Sequence, residues 1–425
     1  MRIVLCCFVV MLGISITSLS QDSTALIKDS TCVQQDIGDV VRAALHKPPK
    51  LKTEKSGSLI LLPIIGSNPA TGFMVGVGGQ YAFKMPESTR YSVISGSVQY
   101  TTQNQFIFML KNNIYSRRNR IFYSGDWRYL IFSQSTYGLG TNSPEGGILE
   151  YQYNLAGMET GSDSLAQPME FNFARLHQLM GFRITSGMYL GLGYMFDSYF
   201  KIVDTKLKLN PGDSIITSHY AYNTTYGFDT ENYFNSALTA KFVIDKRDNM
   251  INAYKGYYLL VGWRGAFKFV GNKNNANLFQ FEWRSFHNVS KRNPRHLIAF
   301  WLMGDFSTEG SLPYMILPST AYDQRGRSAR GYTQGRFRGT NMMYGEAEYR
   351  FPISPCSGVL GGVLFINGTT ATNPVQELKL LESIKPGYGI GLRIMADKTS
   401  RTNLSIDFGF GDKSTGFYLA AAETF

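Results

Sequence analysis

The sequence predicts an all-β protein, a 16-stranded antiparallel transmembrane β-barrel. Three observations carry this prediction: aromatic-rich segments of alternating polarity recur along the chain, an export signal precedes them, and no later stretch is apolar enough for a membrane helix. The composition agrees, since 26 Tyr, 29 Phe and 43 Gly stand against only 15 Pro. Such a composition is typical of strands joined by glycine-containing turns.

The N-terminus has the pattern of a cleavable signal peptide over residues 1–20. Arg2 precedes an apolar run from Ile3 to Ile16, and Ser18-Leu19-Ser20 forms a small-x-small cleavage site. We therefore expect export, with the bacterial outer membrane as the destination of a barrel.

Residues 21–57 predict a short periplasmic segment with one helix and a linker. Asp36 can cap the helix, with Asp39 three residues later. A basic linker runs from His46 to Lys55. We expect the helix to rest on the periplasmic rim of the barrel. Its apolar residues form one stripe: Ile37, Val40, Val41, Ala44 and Leu45.

The cysteines indicate neither a disulfide framework nor a metal cluster. Cys6 and Cys7 are removed with the signal, and Cys32 and Cys356 lie far apart in the remaining chain.

Residues 58–425 predict the barrel. In residues 403–410, for example, apolar side chains alternate with small, polar or charged ones. A soluble sandwich shares this alternation, so the signal peptide, the strand lengths and the C-terminal aromatic Phe425 decide for the membrane. The predicted strands start near Leu59, Phe73, Tyr91, Gln105, Arg120, Phe171, Met188, Phe234, Gly256, Asn277, His296, Met342, Ser357, Gly387, Thr402 and Gly416.

Charge and motifs exclude several functions. The net charge of +11 is scattered over turns and loops of an exported chain, which argues against nucleic acid as a partner.

The sequence has no G-x-S-x-G elbow, no H-E-x-x-H motif and no P-loop, and its five histidines have no metal-ligand spacing. His177, in mid-strand, has a possible serine partner across the barrel, although a structural role is the commoner one. We expect no enzyme activity, no cofactor and no metal.

In the segment Tyr322–Ile353, a stretch without apolar periodicity runs directly into a strand and carries five arginines: Arg325, Arg327, Arg330, Arg336 and Arg338. In that strand Glu346 and Glu348 share one face. If the other face meets lipid, an arginine of the loop can fold inward and pair with these carboxylates. The alternative is a basic surface loop before an ordinary strand.

Four motifs follow one another along the chain: DKRDN at 245–249, RGY at Arg330, Gly331 and Tyr332, EYRFP at 348–352, and the final strand at 416–425. In this order they resemble the BamA/TamA family of outer-membrane barrels, also called bacterial surface antigens, and the similarity covers about residues 58–425. The resemblance implies a loop that folds inward between strands 11 and 12, held by Arg330.

Two departures from the family pattern affect what the resemblance implies. Family members carry periplasmic POTRA domains that capture substrate, and here only residues 21–57 precede the barrel. In addition, Asn367 stands where the family has an aspartate facing the loop arginine. Glu348, and also Glu346, then become the main partners of Arg330, with Asn367 adding a neutral hydrogen bond.

The resemblance implies insertion or translocation of outer-membrane proteins through a lateral seam between the first and last strands. We assign five residues to this seam: Pro63, Ala420, Ala421, Ala422 and Phe425. Pro63 in the first strand cannot donate to a ladder, and the three alanines offer little cross-strand packing. The expected partners are outer-membrane lipid, lipopolysaccharide, client proteins and a periplasmic or membrane protein that replaces the POTRA domains. The alternatives are a passive pore or transporter, and a structural surface barrel without insertase activity.

Overall fold

A computed structural model describes residues 33–48, 57–68, 72–142, 166–212 and 215–425. The predicted signal peptide (1–20), Cys6, Cys7, Cys32 and part of the linker lie outside these residues. None of the helices in the described ranges is long and apolar enough to cross a membrane.

Sixteen strands form one antiparallel sheet in sequence order, as predicted, and every predicted strand start lies within about four residues of an observed one. The strands are β1 Ser58–Asn68, β2 Gly72–Phe83, β3 Ser92–Thr101, β4 Phe106–Tyr115, β5 Ile121–Thr136, β6 Gln167–Thr185, β7 Met188–Asp204, β8 Tyr233–Asp245, β9 Gly256–Ala266, β10 Ala276–Asn288, β11 Leu297–Gly310, β12 Asn341–Pro352, β13 Leu360–Ala371, β14 Lys385–Asp397, β15 Thr402–Gly411 and β16 Ser414–Ala420.

The two faces of the sheet have the polarity of a membrane barrel. Leu192, Ile366 and Ile390 on the outer face are 62%, 61% and 54% exposed, whereas Glu348 and Asp407 on the inner face are 0% exposed. A soluble sandwich buries its apolar face. The exposed apolar face therefore indicates a membrane barrel, which the alternating pattern alone did not distinguish from a sandwich.

The sheet curls until its two ends approach each other. Gln80 on β2 donates a hydrogen bond to the hydroxyl of Thr402 on β15 at 3.3 Å, and the hydroxyl of Tyr91 donates to the carbonyl oxygen of Thr399 at 3.0 Å. Within the described residues, however, no ladder joins β1 to β16.

Helix α1 (Ile37–Ala44) lies at the end of the barrel that has the short turns, which we call the periplasmic end. The expected capping box of Asp36 and Asp39 is present. Polar contacts hold the helix on the rim: the Nζ of Lys398 lies 2.6 Å from Asp39 Oδ2, and the Gln35 amide donates to the Ser357 carbonyl oxygen at 2.8 Å. The apolar stripe, including Val40, Val41 and Leu45, is exposed.

Cys356, in the turn between β12 and β13, forms a disulfide, which the sequence did not indicate. The other three cysteines of the chain, Cys6, Cys7 and Cys32, all lie outside the described residues.

The long loops gather at the opposite, outer end. Helix α2 (Ser218–Thr225) and the 3-10 turn Tyr314–Ile316 contact each other there, and we call this pair the outer cap. The side chain of Asn223 in α2 accepts a hydrogen bond from the Tyr314 amide at 2.9 Å, so the cap joins the β7–β8 connection to the start of the β11–β12 loop.

Candidate functional site: the inward loop and its carboxylate cluster

The connection between β11 and β12 folds into the barrel, as the family resemblance implied. Its side chains Arg330, Phe337 and Arg338 are at most 1% exposed. A charged loop residue buried to this degree requires charge partners or hydrogen bonds, because removing an unpaired charge from water is expensive.

Strand β12 positions the first two partners. Its burial alternates strictly, so Glu346 and Glu348 both point inward, two residues apart on the same face. The side chain of Arg330 reaches both: its Nε donates to Glu346 Oε2 at 3.1 Å, its Nη2 donates to Glu346 Oε1 at 2.6 Å, and the same Nη2 contacts Glu348. The planar guanidinium suits this double contact.

The third partner, Asp407 on β15, was missed as a loop contact at the sequence level. Arg330 Nη1 donates to Asp407 Oδ2 at 2.9 Å. Asp407 belongs to a strand that sequence reasoning placed near the C-terminus, and only the closure of the sheet brings it to the loop.

Asn367 contacts the loop, but through a different atom than expected. Its Nδ2 donates to the backbone carbonyl oxygen of Arg330 at 3.0 Å, so it holds the main chain and not the guanidinium. Glu346 and Asn367 are direct cross-strand partners on β12 and β13. The ring of Phe365 lies below the guanidinium, with its centroid 3.6 Å from Arg330 Cζ.

Gly331 and Tyr332 complete the tripeptide. Gly331 has a φ of +106°, and an added Cβ would lie 2.7 Å from the backbone of Phe410, so a larger residue is excluded on both counts. The Gly331 amide donates to the Tyr418 hydroxyl at 3.0 Å. The Tyr332 hydroxyl donates to the Pro386 carbonyl oxygen at 2.6 Å. The tripeptide thus lies against the inner wall of β14–β16.

The start of the loop is held by the opposite wall. Arg175 on β6 donates to the carbonyl oxygen of Tyr322 at 3.1 Å, and Arg128 on β5 donates to that of Asp323 at 3.0 Å. Arg175 also pairs with Asp197 at 2.6 Å. His177 binds the same carboxylate at 2.8 Å, so its partner is Asp197 and not a serine. The loop consequently spans the lumen from one wall to the other.

The C-terminal residues are a second element inside the barrel. β16 ends at Ala420, so Ala421 and Ala422 are not part of the strand. Glu423 and Phe425 are 5% and 3% exposed, and the Phe425 ring lies 5.4 Å from the ring of Trp301 on β11. Phe425 therefore lies in the lumen, and its expected position on the lateral seam was wrong. We call residues 421–425 the C-terminal tail.

Arginines of the inner wall hold this tail. Arg393 Nε donates to Glu423 Oε2 at 2.7 Å, and Asn403 Nδ2 donates to Glu423 Oε1 at 2.6 Å. Arg350 Nη2 donates to the carbonyl oxygen of Phe425 at 3.2 Å. Because Arg350 also binds Glu348 at 2.7 Å, the tail and the loop belong to one hydrogen-bonded network.

Of the other residues assigned to the seam, Pro63 lies in β1 opposite Val77 of β2, and Ala420 is the last residue of β16, opposite Ser405. The structure thus brings Arg330, Glu346, Glu348 and Asn367 together, and it separates Pro63 and Ala420 from them.

Comparison with known proteins identifies the family. The sequence profile of the Omp85 superfamily domain matches residues 168–425, which is more than half of the chain. The chain belongs to the Omp85 superfamily. This membership, with the exposed apolar band, places the protein among bacterial outer-membrane barrels.

A solved BamA structure shares the fold at low sequence identity. BamA from Haemophilus ducreyi lacking POTRA domains 1–3 is 12% identical with a TM-score of 0.52, over 86% of this chain and 69% of that one. CdiB from Acinetobacter baumannii is 11% identical with a TM-score of 0.47, over 86% of this chain and 59% of that one. No curated protein sequence matches the chain.

Proposed function

We propose that this Omp85 barrel inserts or translocates outer-membrane proteins through a lateral seam between β1 and β16. One observation carries the proposal: in the described residues β1 pairs with β2 along Ser58–Asn68 but has no ladder on its other side. A free strand edge within a bilayer costs several kcal/mol per unsatisfied group, on the order given by transfer measurements. A client strand that pairs with this edge satisfies those groups.

The unequal lengths of the two seam strands support this reading. β1 has 11 residues and β16 has seven, because the C-terminal tail leaves the sheet and enters the lumen. Part of the β1 edge therefore has no strand beside it to pair with. Pro63 in β1 lacks an amide hydrogen, which further weakens any ladder with β16.

The inward loop supports the same function by fixing the wall next to the seam. Arg330 ties β12 to β15 through Glu346 and Asp407, so β15, the neighbour of β16, keeps its position when the seam changes. Capture of clients from the periplasm is then the task of a periplasmic or membrane partner.

Ion pairs among the described lumen residues argue against a passive pore. Four of the inward-facing charges pair with each other: Arg393 binds Asp407 at 2.5 Å, and Arg284 binds Glu282. The inward loop occupies the space between the walls.

Photo-crosslinking from the β1 edge tests the proposal. Leu61 on β1 and Leu192 on β7 are 63% and 62% exposed, so they form a matched pair of lipid-facing leucines. A photoreactive residue at position 61 is expected to capture an unfolded outer-membrane protein during its insertion into proteoliposomes, and the same residue at position 192 is not. Equal capture at both positions, or none at either, would contradict the proposal.

A further inference from the structure

The short connection between β14 and β15, residues 398–401, crosses the seam at the periplasmic end of the barrel. We call it the β14–β15 turn. Across the seam, β15 is separated from β2 by the two seam strands, β16 and β1. Nevertheless, the hydroxyl of Tyr91, the residue before β3, donates to the Thr399 carbonyl oxygen at 3.0 Å, and Gln80 on β2 donates to the Thr402 hydroxyl at 3.3 Å. Two hydrogen bonds therefore connect the walls on the two sides of the seam.

The β14–β15 turn is ordered by its own residues. The hydroxyl and the amide of Ser400 both donate to Asp397 Oδ2, at 2.6 and 3.1 Å. Arg401 has a φ of +62°, the left-handed conformation that tight turns use. Such side-chain bonds to the backbone fix a turn. The turn therefore presents Thr399 and Thr402 to the far side of the seam in constant positions.

The middle of the strand order also holds this turn. Asn249, in the connection between β8 and β9, donates to the Ser400 carbonyl oxygen at 3.2 Å, and Arg401 Nη1 lies 2.6 Å from Asp248 Oδ2. The Arg401 guanidinium lies 4.3 Å from the centre of the Tyr254 ring. Because β8 and β9 are far from β15 in the sheet, the turn reaches over the periplasmic mouth of the lumen.

Helix α1 contacts the same turn. The Lys398 amide donates to Asp36 Oδ2 at 3.3 Å, and the Lys398 Nζ donates to Asp39 Oδ2 at 2.6 Å. The turn and α1 thus occupy the end of the barrel at which a client from the periplasm arrives.

The two hydrogen bonds across the seam are of a kind that can break and form again. Both join neutral groups, and the net contribution of such a bond is modest because water or another polar group can replace either partner. A continuous ladder between β1 and β16 would require many bonds to break together, and the described residues form no such ladder. The contacts of the turn therefore suit a seam that opens and closes.

We propose that the β14–β15 turn is a latch that keeps the periplasmic end of the seam closed in the resting barrel, with Gln80 and Tyr91 as the residues that it engages. This inference rests on the proposed lateral opening and adds the contacts that restrain it. When a client strand pairs with β1, the bonds from Gln80 and Tyr91 break. β1 and β2 then move away from β15, which the inward loop holds through Asp407.

The distance between two spin labels tests the latch without any client. The labels are attached at Leu61→Cys on β1 and Leu419→Cys on β16, two exposed positions near the periplasmic end, in a liposome-reconstituted protein without Cys32 and Cys356. The latch variant combines Gln80→Leu with Tyr91→Phe, which removes both donors and nearly keeps the side-chain sizes. We expect the ratio of wide to narrow seam to increase at least about tenfold in this variant.

Gln178→Leu combined with Tyr194→Phe is the matched control, because it makes the same two chemical changes away from the seam. Gln178 donates to the Ser124 carbonyl oxygen at 3.2 Å, and the hydroxyls of Tyr194 and Ser236 lie 2.8 Å apart. Tyr91→Phe alone removes a single hydroxyl group, so it gives a folded variant with a smaller widening. Unchanged distances in both the latch variant and Tyr91→Phe overturn the latch, and so does equal widening in the control.

Addition of an unfolded outer-membrane protein then tests the proposed function separately. If this client widens the wild-type seam while the latch variant alone is unchanged, lateral opening stands and the latch is wrong. If the latch variant widens without a client and the client widens no seam, the latch is supported and lateral insertion is contradicted.

Discussion

Arg330 and Arg393 bind the two oxygens of one carboxylate, that of Asp407, at 2.9 and 2.5 Å. Arg330 belongs to the inward loop, whereas Arg393 lies on β14 and also binds Glu423 of the C-terminal tail. A single buried carboxylate thus connects the inward loop to the C-terminal tail, which leaves the sheet beside the seam. In a low-dielectric interior such a network behaves as a unit, because loss of one member leaves charges without partners.

The first prediction concerns Arg330→Ala. The substitution leaves Glu346, Glu348 and Asp407 buried without their shared cation, and breaking a buried pair typically costs about 3–5 kcal/mol. On SDS gels, we expect the folded barrel of this variant to unfold at a clearly lower temperature than the wild-type barrel. Arg118→Ala is the control, since the Arg118 side chain is 62% exposed and pairs with Glu87 on the surface, where such pairs contribute about 0–1 kcal/mol. Equal melting of both variants would contradict the role of Arg330.

A double-mutant cycle extends this prediction. Asp407→Asn should destabilise the wild-type barrel, because Arg330 and Arg393 share that carboxylate. In the Arg330→Ala background the same change should cost less, since it removes one of three crowded negative charges. Residues in one network typically show coupling of about 0.5–3 kcal/mol. The same loss in both backgrounds would mean that Arg330 and Asp407 act independently.

The second prediction concerns the C-terminal tail. Glu423→Gln combined with Phe425→Ala weakens the contact with Arg393 and removes the ring that packs on Trp301. The released tail can extend β16, so a cysteine at Ala422 should form disulfides with cysteines at residues 58–61 faster than in the parent. A cysteine pair at Ile406 and Leu419, which are register partners on β15 and β16, serves as the control. An unchanged rate at the seam would show that the tail contacts do not restrain β16.

The third prediction separates a filled barrel from a pore. Tyr322 and Arg330 anchor the inward loop to opposite walls, so the wild-type barrel is expected to conduct poorly in planar bilayers. Replacing residues 322–338 by a short glycine-serine linker should open the lumen and raise the single-channel conductance. A large, steady conductance in the wild type would favour the pore function instead.

The fourth prediction is a pH dependence of the outer cap. Burial, reinforced by the positive charge of Arg338, lowers the pKa of His219 in α2 to about 3. The unfolded cap binds a proton near the ordinary histidine pKa of about 6.5, so cap stability is full above that pH and falls as the pH decreases toward 3.

Hydrogen exchange in α2, corrected for the intrinsic rate, measures this effect. The proton that His219 gains on opening should by itself increase local opening on the order of tenfold between pH 7 and pH 5, whereas Asp204 beside Thr217, whose pKa burial raises to about 6, opposes this increase. His219→Gln removes the histidine contribution and should therefore abolish the increase in opening at low pH. An opening that varies equally with pH in both proteins would rule out His219 as its cause.

The sequence was sufficient for local features of the fold and of the site. Alternation along β12 correctly placed Glu346 and Glu348 on the inner face, because a strand sends successive side chains to opposite sides. The contact of Arg330 with these carboxylates followed from that geometry and from the family resemblance. The sequence placed Asn367 near the loop. Its hydrogen bond to the backbone carbonyl oxygen of Arg330 depends on side-chain positions, which the alternation of a strand does not define.

Contacts between distant strands escaped sequence reasoning. The alternation of β15 places Asp407 on the inner face, where many other residues also lie. The local sequence does not show that Asp407 is the carboxylate that closure of the sheet brings to Arg330. Phe425 was misplaced for a related reason. A terminal aromatic is equally compatible with a strand end in lipid and with a tail in the lumen, and the partners that decide, Trp301 and Arg350, lie far away in the chain.

Disulfide locking of the seam tests the central claim most directly. Cysteine pairs between residues 59–65 of β1 and 417–420 of β16, in a background without Cys32 and Cys356, would be oxidised and assayed for insertion of an outer-membrane protein into liposomes. The Ile406–Leu419 pair, within β15 and β16, is the control for oxidation itself. The account predicts that the locked seam stops insertion and that reductant restores it. Full activity of the locked barrel would contradict lateral opening as its mechanism.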